Sequence, residues 1–142
     1  MSAYALLDEL IAAFNAHDKQ RLLHLYHPDY DGEDLSEAKR ADGLRDAGRM
    51  LDYMFTAFPD LEMRLLEKGA DGDQVFFFWT ATGHQRGRLM NIPPTGKFVS
   101  FTGSTFLVLR DGKIARSRRI WDVATVLRQI GLLPEPTTIE YR

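Results

Sequence analysis

The sequence predicts an α+β fold: a conical barrel of a bent antiparallel sheet wrapped on three N-terminal helices, with a short C-terminal helix. Three observations carry this. Apolar residues recur at helical spacing as far as Phe58 and stop at Pro59. From Leu61 onward the pattern turns to short aromatic and β-branched runs separated by turn residues. Between two of those runs lies Gly83-His84-Gln85-Arg86-Gly87-Arg88-Leu89-Met90-Asn91-Ile92-Pro93-Pro94-Thr95-Gly96. Its two prolines cannot donate ladder hydrogen bonds, and Gly96 tolerates a positive φ, so this is a shaped connection between strands. Helices followed by antiparallel strands make an α+β layout. A single curved sheet around helices would enclose a conical cavity.

The elements follow in order. Leu6, Leu7, Leu10, Ile11 and Phe14 mark an amphipathic helix ending near Asn15 and Ala16. Asp18 is a plausible N-cap for a short second helix through Tyr26, which Pro28 ends. Residues 29–42 are polar and acidic and read as a loop or lid. Leu44, Ala47, Leu51, Met54, Phe55 and Phe58 mark a third helix. Residues 61–68 read as a strand, followed by the turn signal Asp71-Gly72-Asp73. Residues 75–82 hold Phe76, Phe77, Phe78 and Trp79 and read as the next strand. Residues 98–109 and 114–121 form a hairpin across Asp111-Gly112. Residues 123–130 are a final short helix, closed by Gly131 ahead of Pro134 and Pro136.

Composition narrows the function classes. A chain of 142 residues is read as one domain, 1–142, large enough to bury a core. Its 44% apolar and 27% charged residues are those of an ordinary globule rather than a disordered or membrane chain. A net charge of −2 gives no general attraction to nucleic acid or to an anionic membrane. There is no cysteine, which excludes disulfides, thiolate metal sites and a cysteine nucleophile, and fits a cytoplasmic location. The N-terminus lacks the basic-then-apolar order of a signal peptide, and no apolar run reaches the length of a membrane span.

Several segments together resemble the SnoaL-like polyketide cyclases of the nuclear-transport-factor-2-like superfamily. They are Phe58-Pro59-Asp60-Leu61, the connection 83–96, Asp111-Gly112-Lys113-Ile114, and Trp121-Asp122 with Leu127-Arg128-Gln129-Ile130-Gly131. Ile92-Pro93-Pro94-Thr95-Gly96 is the most specific element. The resemblance implies a conical α+β domain and a cofactor-free, aldol-type ring closure on a carbonyl substrate. It places the family's acid/base aspartate on Asp122. The family's histidine position holds Gln85 here, and His84 stands one place earlier, which on a strand is the opposite face.

The residues can also be read without the family. A carboxylate beside Trp121 at a strand end has a raised pKa if desolvated, which suits proton abstraction next to a carbonyl. Alternatively Asp122 caps the helix starting at Val123, which would lower its pKa. Asp122 is therefore the catalytic candidate, with Phe14, Leu51, Phe55, Trp79 and one of His84 and Gln85 as candidate pocket lining. His17, His24 and His27 lack the spacing of a metal-binding pair, and neither a metal nor a cofactor is expected. Strict alternation puts Arg116, Arg118 and Asp122 on one strand face, and Arg119 and Trp121 on the other. Either a bulge shifts that register, or Arg118 pairs with an acid or an anionic substrate, or these arginines form ion pairs on a solvated face. Aromatics on both faces of the strand 75–82 lead us to expect a homodimer through the sheet. Two function classes follow: an acid/base enzyme acting on an apolar carbonyl compound, or a non-catalytic small-molecule binding module of the same fold.

Overall fold

The computed structural model describes residues 1–137. The chain runs α1 (Ala3–Asn15), α2 (Lys19–Leu23), β1 (Tyr26–Asp34), β2 (Lys39–Asp42), α3 (Gly43–Ala57), β3 (Glu62–Asp71), β4 (Gln74–His84), β5 (Phe98–Arg110), β6 (Lys113–Trp121) and α4 (Val123–Gln129). Ser2 caps α1 by accepting from the Ala5 N–H, and Asp18 caps α2 by accepting from Arg21. α1 buries Leu6, Leu7, Leu10, Ala13 and Phe14, the face its periodicity foretells.

The acidic segment is where structure departs from the sequence reading. Residues 29–42 are not a loop or lid. They complete β1 and form β2, and α2 ends before Tyr26. The reason lies in alternation. Tyr30, Gly32 and Asp34 point inward and are buried, while Asp31 and Glu33 point outward. The outward acids are neutralised locally by Arg40 of β2, which donates to Asp31 at 2.8 Å and also pairs with Glu33. A strand whose outer face is acidic looks like a solvated loop in sequence, because its apolar face contributes few residues.

The six strands form one sheet in the order β2-β1-β6-β5-β4-β3. Neighbours are antiparallel except β1 and β6, which run parallel. The sheet curls without closing, so β2 and β3 remain its edges. β5 and β6 are joined at Asp111 and Gly112, with φ of 55° and 73°. Two successive positive φ values make the hairpin turn whose twist matches that of the strands. α1 packs on β3 and β4, and α3 packs on β1 and β2, so the helices fill the hollow of the curl. Leu7, Leu22, Leu51, Val75, Leu107 and Ile114 are among the buried residues between them.

The proline-bearing connection folds around one amide. Gln85 is fully buried, and its carboxamide donates to the carbonyls of Gly87 at 2.8 Å and Pro93 at 3.1 Å. Its oxygen accepts from the Thr95 N–H at 2.8 Å and the Thr95 hydroxyl at 2.6 Å. The N–H groups of Arg86 and Gly87 donate to the Ala57 carbonyl, satisfying one of the orphan acceptors at the end of α3. Gly87 approaches so closely that a Cβ there would lie 2.1 Å from the Thr56 carbonyl oxygen. Gly87→Ala is therefore expected to lower stability by about 1–3 kcal/mol, the usual cost of overpacking against a fixed neighbour. Urea unfolding measures this, and an unchanged midpoint would show that the loop is not clamped to α3.

Candidate active site

Three spaces open inside the cone, and Arg119 borders all of them. The first is an apolar chamber of about 60 Å³ walled by Phe14, Met54, Phe58, Trp79, Phe101 and Trp121, with Asp34, Glu37, Tyr53 and Arg119 as its polar groups. The second is a polar recess of about 340 Å³ between the β1–β2 hairpin and α3, bordered by Glu33, Glu37, Lys39, Arg40, Asp46 and Arg49. The third is another chamber of about 60 Å³, bordered by Leu10, Tyr26, Tyr30, Met50, Leu51, Phe77 and Thr105.

Parallel pairing of β1 with β6 sets Asp34 beside Arg119. One carboxylate oxygen of Asp34, Oδ2, accepts from Arg119 Nε at 3.0 Å, Arg119 Nη2 at 2.8 Å and Trp121 Nε1 at 3.1 Å. The other accepts the Glu37 backbone N–H at 3.0 Å. Asp34 is only 5% exposed, and its buried charge is met by four donors, three on Oδ2 and one on Oδ1. Burial acts against the charge on Arg119, but the adjoining Asp34 carboxylate outweighs it and holds the guanidinium above its ordinary pKa. The turn after β1 is pinned to the same strand. The Leu35 N–H donates to the Arg119 carbonyl, and the Ser36 hydroxyl both accepts from and donates to the Trp121 backbone at 2.8 Å.

This turn carries Glu37 into the cone. Its side chain is 5% exposed, and Oε1 accepts the Tyr53 hydroxyl proton at 2.6 Å. Tyr53 in turn accepts the Met90 N–H at 2.8 Å. Burial first, and then the bond to Glu37, push the Tyr53 phenol above its ordinary pKa, so it remains a donor. Lys39 stands 3.5 Å from Glu37 Oε1 and 3.6 Å from the centre of the Tyr53 ring. Among the described residues, no hydrogen bond engages the second oxygen of Glu37, Oε2.

The residues singled out from sequence are distributed as follows. Phe14 and Trp79 line the first chamber, and Leu51 borders the third space. Phe55 stacks on His17 at 4.3 Å and tilts against Phe14 at 5.2 Å, supporting the wall from behind. Gln85 is inside but wholly occupied by its own loop. His84 lies outside, paired with Asp60 at 2.6 Å, and lowers that carboxyl's pKa. Asp122 is exposed and borders none of the three spaces. It caps α4 instead, accepting the Thr125 hydroxyl at 2.6 Å and the Thr125 N–H at 3.0 Å. Those bonds, the hydroxyl first, depress its pKa rather than raise it. Capping takes the carboxylate because the strand ends at Trp121, so the next side chain follows the helix axis and not the cone. Strand alternation was informative at the other face. Past a register shift opposite Val108 and Leu109, Ser117, Arg119 and Trp121 point inward while Arg116 and Arg118 point out. Asp34, Glu37 and Tyr53 escaped the sequence reading. The one available signal was the two-residue period of Tyr30, Gly32 and Asp34.

The open, curled sheet around helices is the nuclear-transport-factor-2-like cone. Within that class, a family model described as SnoaL-like polyketide cyclase matches residues 5–130, and the chain belongs to that family. No curated protein matches in sequence. Among solved structures, AclR, a candidate hydroxylase from Streptomyces galilaeus, is 26% identical with a TM-score of 0.81, over 93% of this chain and 86% of that one. A candidate SnoaL-like polyketide cyclase from Jannaschia sp. CCS1 is 22% identical with a TM-score of 0.83, over 92% of each chain. IdmH, a candidate polyketide cyclase from Streptomyces antibioticus, is 24% identical with a TM-score of 0.79, over 92% of this chain and 99% of that one. No helix of the described residues is long and apolar enough to cross a membrane.

The buried pair yields a direct test. Arg119→Met leaves the Asp34 carboxylate buried without its counter-charge and is expected to cost about 3–5 kcal/mol. Adding Asp34→Leu to that variant should recover a large part of the loss, because no orphan charge remains. Guanidinium unfolding of the two single variants and the double variant reads this directly. Simple additivity would show that the two side chains do not depend on each other.

Proposed function

We propose that this protein is a cofactor-free acid/base enzyme that closes a ring in an apolar carbonyl compound, with Glu37 as the base. One observation carries the reading. A carboxylate with a free oxygen and a guanidinium with uncommitted N–H groups border the same apolar chamber. Glu37 Oε2 removes a proton α to a carbonyl. Arg119 has five donors, two of which serve Asp34, and Nη1 otherwise meets only the Met54 sulfur at 3.5 Å. Its free N–H groups stabilise the enolate oxygen. The enolate carbon then attacks a second carbonyl carbon of the same molecule, forming the new C–C bond. The resulting alkoxide takes the proton back from Glu37. Tyr53 holds the carboxylate in place through Oε1, leaving Oε2 for the substrate. Membership of the SnoaL-like polyketide cyclase family and the likeness to candidate cyclases such as IdmH support the reaction class. Asp122 has no part in this scheme, since its carboxylate is committed to a helix cap.

Glu37→Gln preserves the shape and the bond from Tyr53 while removing the titratable group. It is expected to lower turnover of a linear poly-β-keto thioester or ester by about 10²–10⁴-fold, the scale of a positioned base. Asp122→Asn, which retains a capping oxygen, should leave turnover within about threefold of the parent, because it lies outside the chamber. The reverse ranking would return the base to Asp122. Ligand binding with no turnover in the parent protein would establish the binding module instead.

The outer face of the sheet supports a two-fold assembly. Phe76, Phe78 and Ile120 are each more than 40% exposed there, and Phe76 lies 4.8 Å from Phe106. Such a patch favours covering by an identical surface. Sedimentation velocity is expected to give a dimer at micromolar concentration, and Ile120→Glu to dissociate it. A parent protein that stays monomeric overturns the assembly.

A further inference from the structure

We propose that the Tyr30 and Ser117 hydroxyls form a second oxygen-binding point of the active site, which takes the carbonyl that the enolate attacks and stabilises the alkoxide formed there. The inference rests on the acid/base reading above and adds two catalytic residues to it. Tyr30 and Ser117 border the 340 Å³ recess together with Asp34, Glu37, Tyr53 and Arg119. Those last four also border the first apolar chamber, so the two spaces meet at the base and the guanidinium. The recess therefore extends the site beyond the chamber and brings the two hydroxyls to it.

The strand seam sets their positions. Gly32 of β1 stands opposite Ser117 of β6, one inward rung before Asp34 opposite Arg119. With no side chain at Gly32, the Tyr30 ring folds along its own strand over that rung. A Cβ on Gly32 would lie 2.2 Å from Tyr30 Oη. The phenol thus reaches Ser117 Oγ at 2.5 Å. Two hydroxyls carry two protons, and their mutual bond uses one, whichever oxygen donates. No other hydrogen bond among the described residues engages either oxygen, so one O–H is left to donate. Tyr30 is 2% exposed, and burial holds its phenol above its ordinary pKa, so the pair keeps both protons. A buried donor without an acceptor is unfavourable, and a substrate oxygen supplies the acceptor. Successive rungs on one strand face lie about 6.5 Å apart. With the enolate oxygen at Arg119 and the second carbonyl oxygen at the hydroxyl pair, the reacting carbons lie between the two. As the C–C bond forms, the π electrons of the attacked carbonyl move onto its oxygen. The spare O–H meets that growing charge, and the proton Glu37 had taken is returned to the same oxygen.

Enolisation needs no second carbonyl, so two reactions separate the two oxygen sites. A linear poly-β-keto ester reports ring closure. Acetophenone, with one carbonyl, reports enolisation by exchange of its methyl protons in heavy water, read by NMR. Tyr30→Phe combined with Ser117→Ala removes both hydroxyls and leaves Glu37 and Arg119 untouched. It is expected to lower kcat for ring closure by about 10²–10³-fold, the cost of losing an oxyanion donor, with KM and acetophenone exchange each within about threefold of the parent. Glu37→Gln, by contrast, should depress both reactions. If thermal unfolding shows that the double variant is not folded, each single variant reads the same split with a smaller loss. Ring closure at the parental rate in the folded variants overturns the role of the hydroxyl pair and leaves the proposed function standing. Equal loss of both reactions overturns it as well, since the pair then only shapes the site. A parent protein that closes the ring but exchanges no acetophenone protons overturns the division of the reaction between two oxygen sites. A parent protein that does neither overturns this inference and the proposed function together.

Discussion

A carboxylate and a guanidinium inside an apolar cone must meet, and the meeting of Asp34 with Arg119 organises this structure. Each charge alone would be excluded from so dry a site. Together they fix the register of β1 on β6, because a slip of β1 by one residue would turn Asp34 to solvent and leave Arg119 inside without its anion. The same carboxylate collects the Trp121 indole N–H and the Glu37 backbone N–H. A chamber wall, a strand register and the position of a second carboxylate thus depend on one oxygen pair. A buried ion pair of this kind is not an efficient way to stabilise a fold. Its value here is positional.

That pair also separates the roles of the two buried acids. Asp34 is held by four donors, three on Oδ2 and one on Oδ1, the Arg119 guanidinium among them. Glu37 shares one oxygen with Tyr53 and keeps the other. The difference comes from the strand and its turn: Asp34 is the last residue of β1, opposite a cation, and Glu37 sits three residues on, where the chain has left the ladder. Two acids on one short stretch are thereby divided: one is paired with a cation across the seam, and the other is held by Tyr53 at a single oxygen.

The second half of the fold was legible because its residues have one physical reading each. Phe77 and Trp79 alternate with exposed neighbours, Asp111-Gly112 admits one kind of turn, and Pro93-Pro94 forbids a ladder. The segment 29–42 had two. Its charge pattern fits a solvated loop and equally a strand with one wet face, and local composition does not separate them. Only the partner strand does, and that lies 85 residues away. Asp122 was ambiguous for a similar reason. A carboxylate at a strand end can face a cavity or cap the following helix, and Thr125, three residues on, decides the matter by offering both a hydroxyl and an N–H.

The parallel seam between β1 and β6 has a bearing on how the molecule comes into being. During synthesis the β1–β2 hairpin and α3 leave the ribosome long before β6 exists to receive them. Through that interval Tyr26 and Tyr30 have no sheet to cover them, and Asp34 keeps its water because its cation has not been made. The contacts that close the seam are among the most distant in the chain, and distant contacts form late, since chain closure must come before any reward. The dry interior is therefore completed by the arrival of a single strand, and the nascent chain must remain soluble with its future interior exposed. The acidic outer face of β1, made by Asp31 and Glu33, gives the waiting hairpin the charge that keeps it from pairing with the wrong edge.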